Sequence, residues 1–115
     1  MDRNQKEYKI KITDSAEKSY LEILDYVFEY YTEKRALEIA EDLLEIPFSL
    51  KTLPNRGKLE NSLLGRKKNF RFILYKRNSS STIKIIYYVD EKANTVFITD
   101  YFPTEMTNTK IKNRS

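Results

Sequence analysis

The stretch Arg66–Arg77, RKKNFRFILYKR, decides the fold predicted for this sequence. Six of its twelve residues are basic and none is acidic. From Phe70 to Tyr75 two sets of side chains alternate, and a period of two among aromatic and branched residues is typical of a strand with two unlike faces. The basic residues that lead into this strand suggest an anionic partner, although a solubilising surface would have the same composition.

Two further runs follow this strand and extend it into a sheet. They are Thr82–Asp90, TIKIIYYVD, and Thr95–Phe102, TVFITDYF. Polar reversals at Asn78–Ser81 and Asp90–Asn94 separate the three runs. The pattern predicts a three-stranded antiparallel meander with an apolar buried face.

The N-terminal half predicts one strand and two helices. Tyr8–Thr13 alternates as a short strand, and apolar residues with helical spacing run from Ala16 to Tyr31. Asp14 is the predicted N-cap of this helix. A second amphipathic helix is expected from about Glu33, with a kink at Pro47 and helix on both sides of it.

These elements predict an α+β domain with the order β-α-α-β-β-β. The helical hairpin is expected to pack on a mainly antiparallel, four-stranded sheet. Pro54–Gly57 is the predicted turn before the meander, with Gly57 free to take a positive φ. Residues 1–108 are expected to form a single domain, and residues 109–115 a basic, disordered tail.

Composition excludes several kinds of chemistry. The 115 residues include no cysteine and no histidine, which excludes disulfides, thiolate catalysis and histidine-based triads. With two glycines there is no Gly-rich phosphate loop. No apolar run approaches the roughly 20 residues of a membrane span, and Met1–Lys11 is too polar for a secretory signal. We therefore expect a cytoplasmic protein without a cofactor or a metal.

The net charge of +4 conceals two halves of opposite sign. Asp14–Glu45 holds ten acidic and three basic residues, a net charge of −7. Ile46–Ser115 holds five acidic and fourteen basic residues, a net charge of +9. Screening over about 8 Å at physiological salt leaves such surfaces locally distinct.

Lysine, arginine and tyrosine remain as the residues able to support catalysis. Cations beside a tyrosine can cleave RNA through attack of the 2′-hydroxyl, because they stabilise the pentavalent phosphorane. Most of the nine tyrosines are expected to be structural, and a cation in mid-strand can simply pair with an acid. The candidates are Lys67, Lys68, Arg71 and Lys84, with Tyr75, Tyr87, Tyr88 or Tyr101 as aromatic partners.

Four short patterns accompany this order of elements: Leu53–Gly57, Arg71, Ile83–Tyr87 and Val96–Phe102. Together with the order of elements they resemble the RelE/ParE superfamily of bacterial toxins, and most closely its plasmid stabilisation subgroup. The resemblance covers roughly Tyr8 to Asn108. It implies a toxin neutralised by a cognate antitoxin, with ribosome-bound mRNA or DNA gyrase as the target.

Carried over by position, the resemblance implies Arg71, Lys84 and Tyr87 as catalytic residues. The basic residues around the first meander strand are the predicted nucleic-acid contacts: Arg66, Lys67, Lys68, Lys76 and Arg77. The antitoxin is expected to cover the helical hairpin or the sheet edge and to place acids against the basic strand.

The sequence departs from the family pattern after the last strand. Many relatives have His-Thr-Arg-Gln-Asn-Pro where Pro103–Asn108 stands here, and Glu105 reverses the charge at the arginine position. This departure keeps three other functions open: a ParE-like gyrase inhibitor without nuclease activity, a catalytically silent family member that acts by protein binding, and an unrelated nucleic-acid-binding module. The oligomeric state is not predicted.

Overall fold

A computed structural model of the protein describes residues 7–63, 65, 68–78 and 81–104. Within these residues the predicted α+β class and the order β-α-α-β-β-β are confirmed, with one short strand added before the meander. The predicted tail at residues 109–115 lies outside the described residues. The elements are β1 (Lys9–Ile12), α1 (Asp14–Tyr30), α2 (Glu33–Phe48), β2 (Lys58–Leu59), β3 (Arg71–Asn78), β4 (Ser81–Asp90) and β5 (Thr95–Pro103).

The sheet has five strands in the order β1-β5-β4-β3-β2, and not the four that were predicted. The additional strand, β2, spans only two residues, which is too short to show a period of two in the sequence. It pairs antiparallel with Arg71 and Phe72 of β3. β1 pairs in parallel with β5, and the meander strands pair antiparallel, so the sheet is mainly antiparallel as expected.

The N-cap residues of the two helices are both threonines. The prediction of Asp14 as the N-cap was wrong, because Thr13 Oγ1 accepts the hydrogen bond from the N–H of Ala16 at 3.2 Å. Thr13 Oγ1 also lies 3.0 Å from the carbonyl oxygen of Ile98, to which it donates. At the second helix Thr32 Oγ1 accepts from the N–H of Arg35 at 3.2 Å.

Pro47 lies near the end of α2, which continues only to Phe48. A 3₁₀ helix follows at Ser49–Lys51. Helical structure is thus present on both sides of Pro47, as predicted. The α-helix itself ends at Phe48, one residue after the proline, because proline has no N–H to donate to the preceding turn.

The main core lies between the helical hairpin and one face of the sheet, here called the helix-packed face. Tyr101 of β5 joins the two layers by donating to the carbonyl oxygen of Leu43 on α2 at 2.7 Å. Tyr20 of α1 joins the two helices by donating to the carbonyl oxygen of Ala40 on α2 at 3.0 Å. The core side chains include Ala16, Ile23, Val27, Ile39, Leu43, Ile83, Ile85, Tyr87, Val96, Ile98 and Tyr101.

A smaller cluster covers part of the other face, here called the distal face. Leu63, Ile86 and Phe102 are almost fully buried there, and Phe70 and Phe72 pack against them. Both faces of the sheet therefore carry an apolar cluster. Of the helices in the described part of the chain, none has the length and apolar character needed to cross a membrane.

Candidate nucleic-acid interface

The predicted catalytic residue Lys84 lies on the distal face, between Leu74 of β3 and Phe102 of β5. Its Nζ is 2.7 Å from Oε1 of Glu60 and 4.6 Å from the centroid of the Phe72 ring. The side chain of Glu60 is 2% exposed and that of Lys84 is 20% exposed. The ammonium group therefore joins a buried carboxylate to the accessible surface.

The backbone on both sides of Glu60 holds it in place. Its N–H donates to the carbonyl oxygen of Phe70 at 2.8 Å, and its own carbonyl accepts from the N–H of Leu63 at 3.1 Å. Because Leu63 is buried against Ile86, the segment after β2 is anchored to the distal face. A carboxylate in this position can accept a proton while the neighbouring cation stabilises developing negative charge.

Glu60 was not among the predicted site residues. It lies in an irregular segment where neither helical nor strand periodicity places its side chain. One signal was present in the sequence: Glu60 is the only acidic residue between Glu45 and Asp90, in a strongly basic stretch. A single acid among so many cations is a candidate for a specific ion pair.

Arg71 and Tyr87, the other two predicted catalytic residues, are register partners and point to the helix-packed face. Arg71 Nη1 donates to the carbonyl oxygens of Gly57 at 2.7 Å and of Asn55 at 3.3 Å. The buried Tyr87 hydroxyl accepts from the N–H of Gly57 at 2.9 Å. The structure thus brings Arg71 and Tyr87 together on the turn that precedes Glu60, and places Lys84 on the opposite face.

The contact with Tyr87 also explains why position 57 is a glycine. The prediction of a positive φ there was wrong, since among the described glycines Gly65 alone has one, at 92°. A Cβ on Gly57 would lie 2.6 Å from the Tyr87 hydroxyl oxygen and 2.7 Å from the carbonyl oxygen of Phe72. Glycine is needed because two groups approach closely. Burial raises the pKa of Tyr87, against the opposing effect of the Gly57 hydrogen bond.

The predicted nucleic-acid contacts fall into three groups. Lys68 and Lys76 are exposed, and β3 alternation places Lys76 on the distal face with Leu74. Arg77 is 8% exposed, with Nε 2.7 Å from Ser81 Oγ and Cζ 5.0 Å from the Tyr26 ring centroid, so its guanidinium faces protein groups. Arg66 and Lys67 lie outside the described residues.

Three rings on the distal face form an aromatic row across β5, β4 and the residue before β3. Tyr88 stacks on Phe97 with centroids 5.1 Å apart and meets Phe70 edge-on at 5.5 Å. Lys68 Nζ lies 4.7 Å from the Tyr88 ring centroid, and Lys11 is the register partner of Phe97. Rings flanked by cations suit single-stranded nucleic acid, because bases stack on the rings and phosphates meet the ammonium groups.

Two further observations concern the chemistry available here. In the described ranges, no group of three acidic side chains is arranged to hold a metal ion. Pro103, one of the departures from the family pattern, ends β5 opposite Ile83, while Glu105 lies outside the described residues.

The fold of this chain is similar to that of a solved structure. No protein-family model and no curated protein matches the sequence. The structure is similar to a chain in the crystal structure of the RelBE2 toxin–antitoxin complex of Mycobacterium tuberculosis, with a TM-score of 0.51 and 20% sequence identity. The similarity covers 87% of this chain and 94% of the other. The α+β fold expected from the sequence is confirmed, and this chain shares it with a chain of that complex.

Proposed function

We propose that this protein is the toxin of a bacterial type II toxin–antitoxin pair and inhibits growth by cutting mRNA on the ribosome. The fold shared with a chain of the RelBE2 toxin–antitoxin complex supports a toxin role. The observation that carries the nuclease proposal is the ion pair of Glu60 with Lys84, at 2.7 Å on the distal face of the sheet. Exposed cations and the aromatic row share that face and give RNA a surface to bind.

The proposed reaction is a transesterification within the RNA strand. Glu60 takes the proton of a 2′-hydroxyl, whose oxygen attacks the adjacent phosphorus and forms a 2′,3′-cyclic phosphate. The bond to the 5′-oxygen breaks, and the ammonium group of Lys84 donates a proton to that leaving oxygen. The same ammonium group stabilises the phosphorane, and Glu60 exchanges its contact with Lys84 for the 2′-hydroxyl when RNA binds.

The contacts of Arg71 and Tyr87 favour positioning roles for these two predicted catalytic residues. Both hold Gly57, three residues before Glu60, so they act on the reaction through the backbone of this segment. Lys68 and Lys76 are proposed to bind phosphates that flank the cleaved bond. Their contribution is electrostatic, so it falls as salt rises.

Single-turnover cleavage of mRNA on stalled ribosomes tests the proposal. Glu60→Gln and Lys84→Met are each expected to lower the rate by about 10²–10³, the usual effect of one lost transition-state contact. Glu41→Gln, an exposed substitution on α2, is the matched control and is expected to retain the wild-type rate. A toxic wild type that leaves mRNA intact and induces a DNA damage response overturns the nuclease proposal in favour of gyrase inhibition.

The proposed partner is a cognate antitoxin encoded by an adjacent gene. The basic C-terminal half, with a net charge of +9 over residues 46–115, favours an acidic binding segment. Co-expression with the product of the adjacent gene is expected to give a complex whose association slows as salt rises. Failure to form any complex at low salt contradicts the toxin–antitoxin assignment.

A further inference from the structure

The outer edge of β3 is only partly covered. β2 pairs with Arg71 and Phe72, and within the described residues no strand pairs with the outer edge from Ile73 to Lys76. These four residues present a free edge of about 13 Å, at about 3.3 Å per residue. Unpaired N–H and C=O groups along such an edge are a template for another strand.

The far end of this edge is closed. The pairing of β3 with β4 shifts register between Lys76 and Asn78, and Arg35 Nη2 donates to the carbonyl oxygen of Arg77 at 2.7 Å. A bulge and a side-chain contact of this kind normally protect an edge from pairing. Here they protect only the end, and among the described strands none pairs with the outer edge from Ile73 to Lys76.

A groove of about 460 Å³ runs beside the free edge. Leu74, which projects from this edge, is 54% exposed. Room beside an exposed apolar side chain suits an apolar residue of an added strand. The groove is lined by Arg56, Gly57, Lys58, Phe72, Ile73 and Leu74.

Charge along the edge identifies the kind of strand that fits. Arg56 and Lys58 border the groove and are exposed, and the exposed Lys76 follows on β3. Among the described residues that line the groove, none is acidic. The opposite edge of the sheet differs, because exposed lysines at Lys9 and Lys11 alternate along β1 and protect it in the way charged side chains protect natural edges.

We propose that the edge from Ile73 to Lys76 binds an extended, acidic segment of a partner protein, in which apolar and acidic residues alternate. Main-chain hydrogen bonds to β3 supply affinity, the groove takes an apolar side chain, and acids meet Lys58 and Lys76. This inference deepens the proposed function, since the antitoxin is then the partner, but the binding is measured without toxicity or RNA cleavage.

Fluorescence anisotropy with a labelled, end-capped peptide of alternating glutamate and valine tests the docking site on the full chain. We expect binding at low salt, with amide hydrogen exchange slowed at Ile73–Lys76. A matched peptide N-methylated at alternate residues keeps the charges but cannot pair, and is expected to bind at least about tenfold more weakly. Absence of binding, or equal binding of the N-methylated peptide, overturns the proposal.

Charge-reversed variants locate the site. Lys58→Glu and Lys76→Glu are each expected to weaken peptide binding by about tenfold, while Lys9→Glu on the opposite edge leaves it unchanged. If Lys9→Glu weakens binding as much as Lys76→Glu, the attraction is a general effect of charge and the edge assignment is wrong. Peptide binding by a protein that is not toxic rejects the proposed function and retains the docking site.

Discussion

Gly57 and Tyr87 lie thirty residues apart in the sequence and share a hydrogen bond of 2.9 Å, in which the Gly57 N–H donates to the Tyr87 hydroxyl. Arg71 binds the carbonyl oxygen of the same glycine at 2.7 Å. Both polar groups of Gly57 are therefore satisfied by side chains from neighbouring strands. The turn at Pro54–Gly57 is fixed to the sheet, and with it the start of the segment that carries Glu60.

Gly57→Ala is expected to lower the free energy of unfolding by about 1–3 kcal/mol, because the new Cβ meets a side chain and a backbone oxygen. Urea denaturation measures the loss. Adding Tyr87→Phe removes the nearest of the three atoms that lie within 3 Å of this Cβ, so the two substitutions are expected to be non-additive. Gly65→Ala is the contrast: nothing lies within 4 Å of its Cβ, and Tyr87→Phe should not relieve its cost. Strict additivity of Gly57→Ala and Tyr87→Phe contradicts the assigned contact.

Thr13→Ala is expected to destabilise the protein by about 1 kcal/mol, since its hydroxyl oxygen caps α1. Asp14→Ala should cost only a few tenths of a kcal/mol, through the helix dipole. Thermal unfolding of the two variants under identical conditions distinguishes them. A larger loss of stability in Asp14→Ala than in Thr13→Ala would mean that Asp14 caps α1, as the sequence predicted.

Lys84→Met is expected to lower stability by about 2 kcal/mol, because it removes a charge-assisted hydrogen bond from the buried carboxylate of Glu60. Glu60→Gln should then cost less in the Lys84→Met background than in the wild type, and the difference measures the coupling of the pair. Chemical denaturation of the four proteins of this cycle supplies the free energies. Equal costs in both backgrounds would mean that the 2.7 Å contact adds no stability.

Stability is expected to fall between pH 10 and pH 12, in part because of Tyr75. Burial and the hydrogen bond to the Asp42 carboxylate raise the pKa of Tyr75 to about 12, from 10.0 in the unfolded chain. The folded protein holds this proton over an interval in which the unfolded chain has lost it. The contribution of Tyr75 to the free energy of unfolding is thus complete below pH 10 and disappears as the pH rises through 12. Tyr75→Phe should show a shallower decline in alkaline urea titrations, and an unchanged slope would exclude Tyr75 as the source.

The sequence predicted the elements better than it predicted which face each side chain occupies. The alternation from Phe70 to Tyr75 correctly indicated a strand, but it is apolar on both sides, so periodicity alone could not say which set meets the helices. The helix-packed set proved to include Arg71 and Tyr75, whose polar ends bind the turn and Asp42.

The ion pair on the distal face depends on contacts between segments far apart in the sequence. Glu60 meets Lys84 because Leu63 anchors an irregular segment against Ile86. Local sequence periodicity does not predict this packing. The same holds for Gly57, whose identity is explained by a ring thirty positions away. Local periodicity determines an element's type, whereas the partners of a loop residue are determined by packing.

The central position of β5 has a consequence for the growing polypeptide. β5 lies between β1 and β4, so β1 and the cap of α1 at Thr13 both have their partners on a strand translated last among these elements. At about 5–20 residues per second, β5 begins to be synthesised roughly 4–17 s after Ile12. Until then β1 has no neighbour in the sheet, and the distal face lacks Phe97 and Phe102. A ribosome that makes this protein therefore carries an incomplete sheet through most of translation.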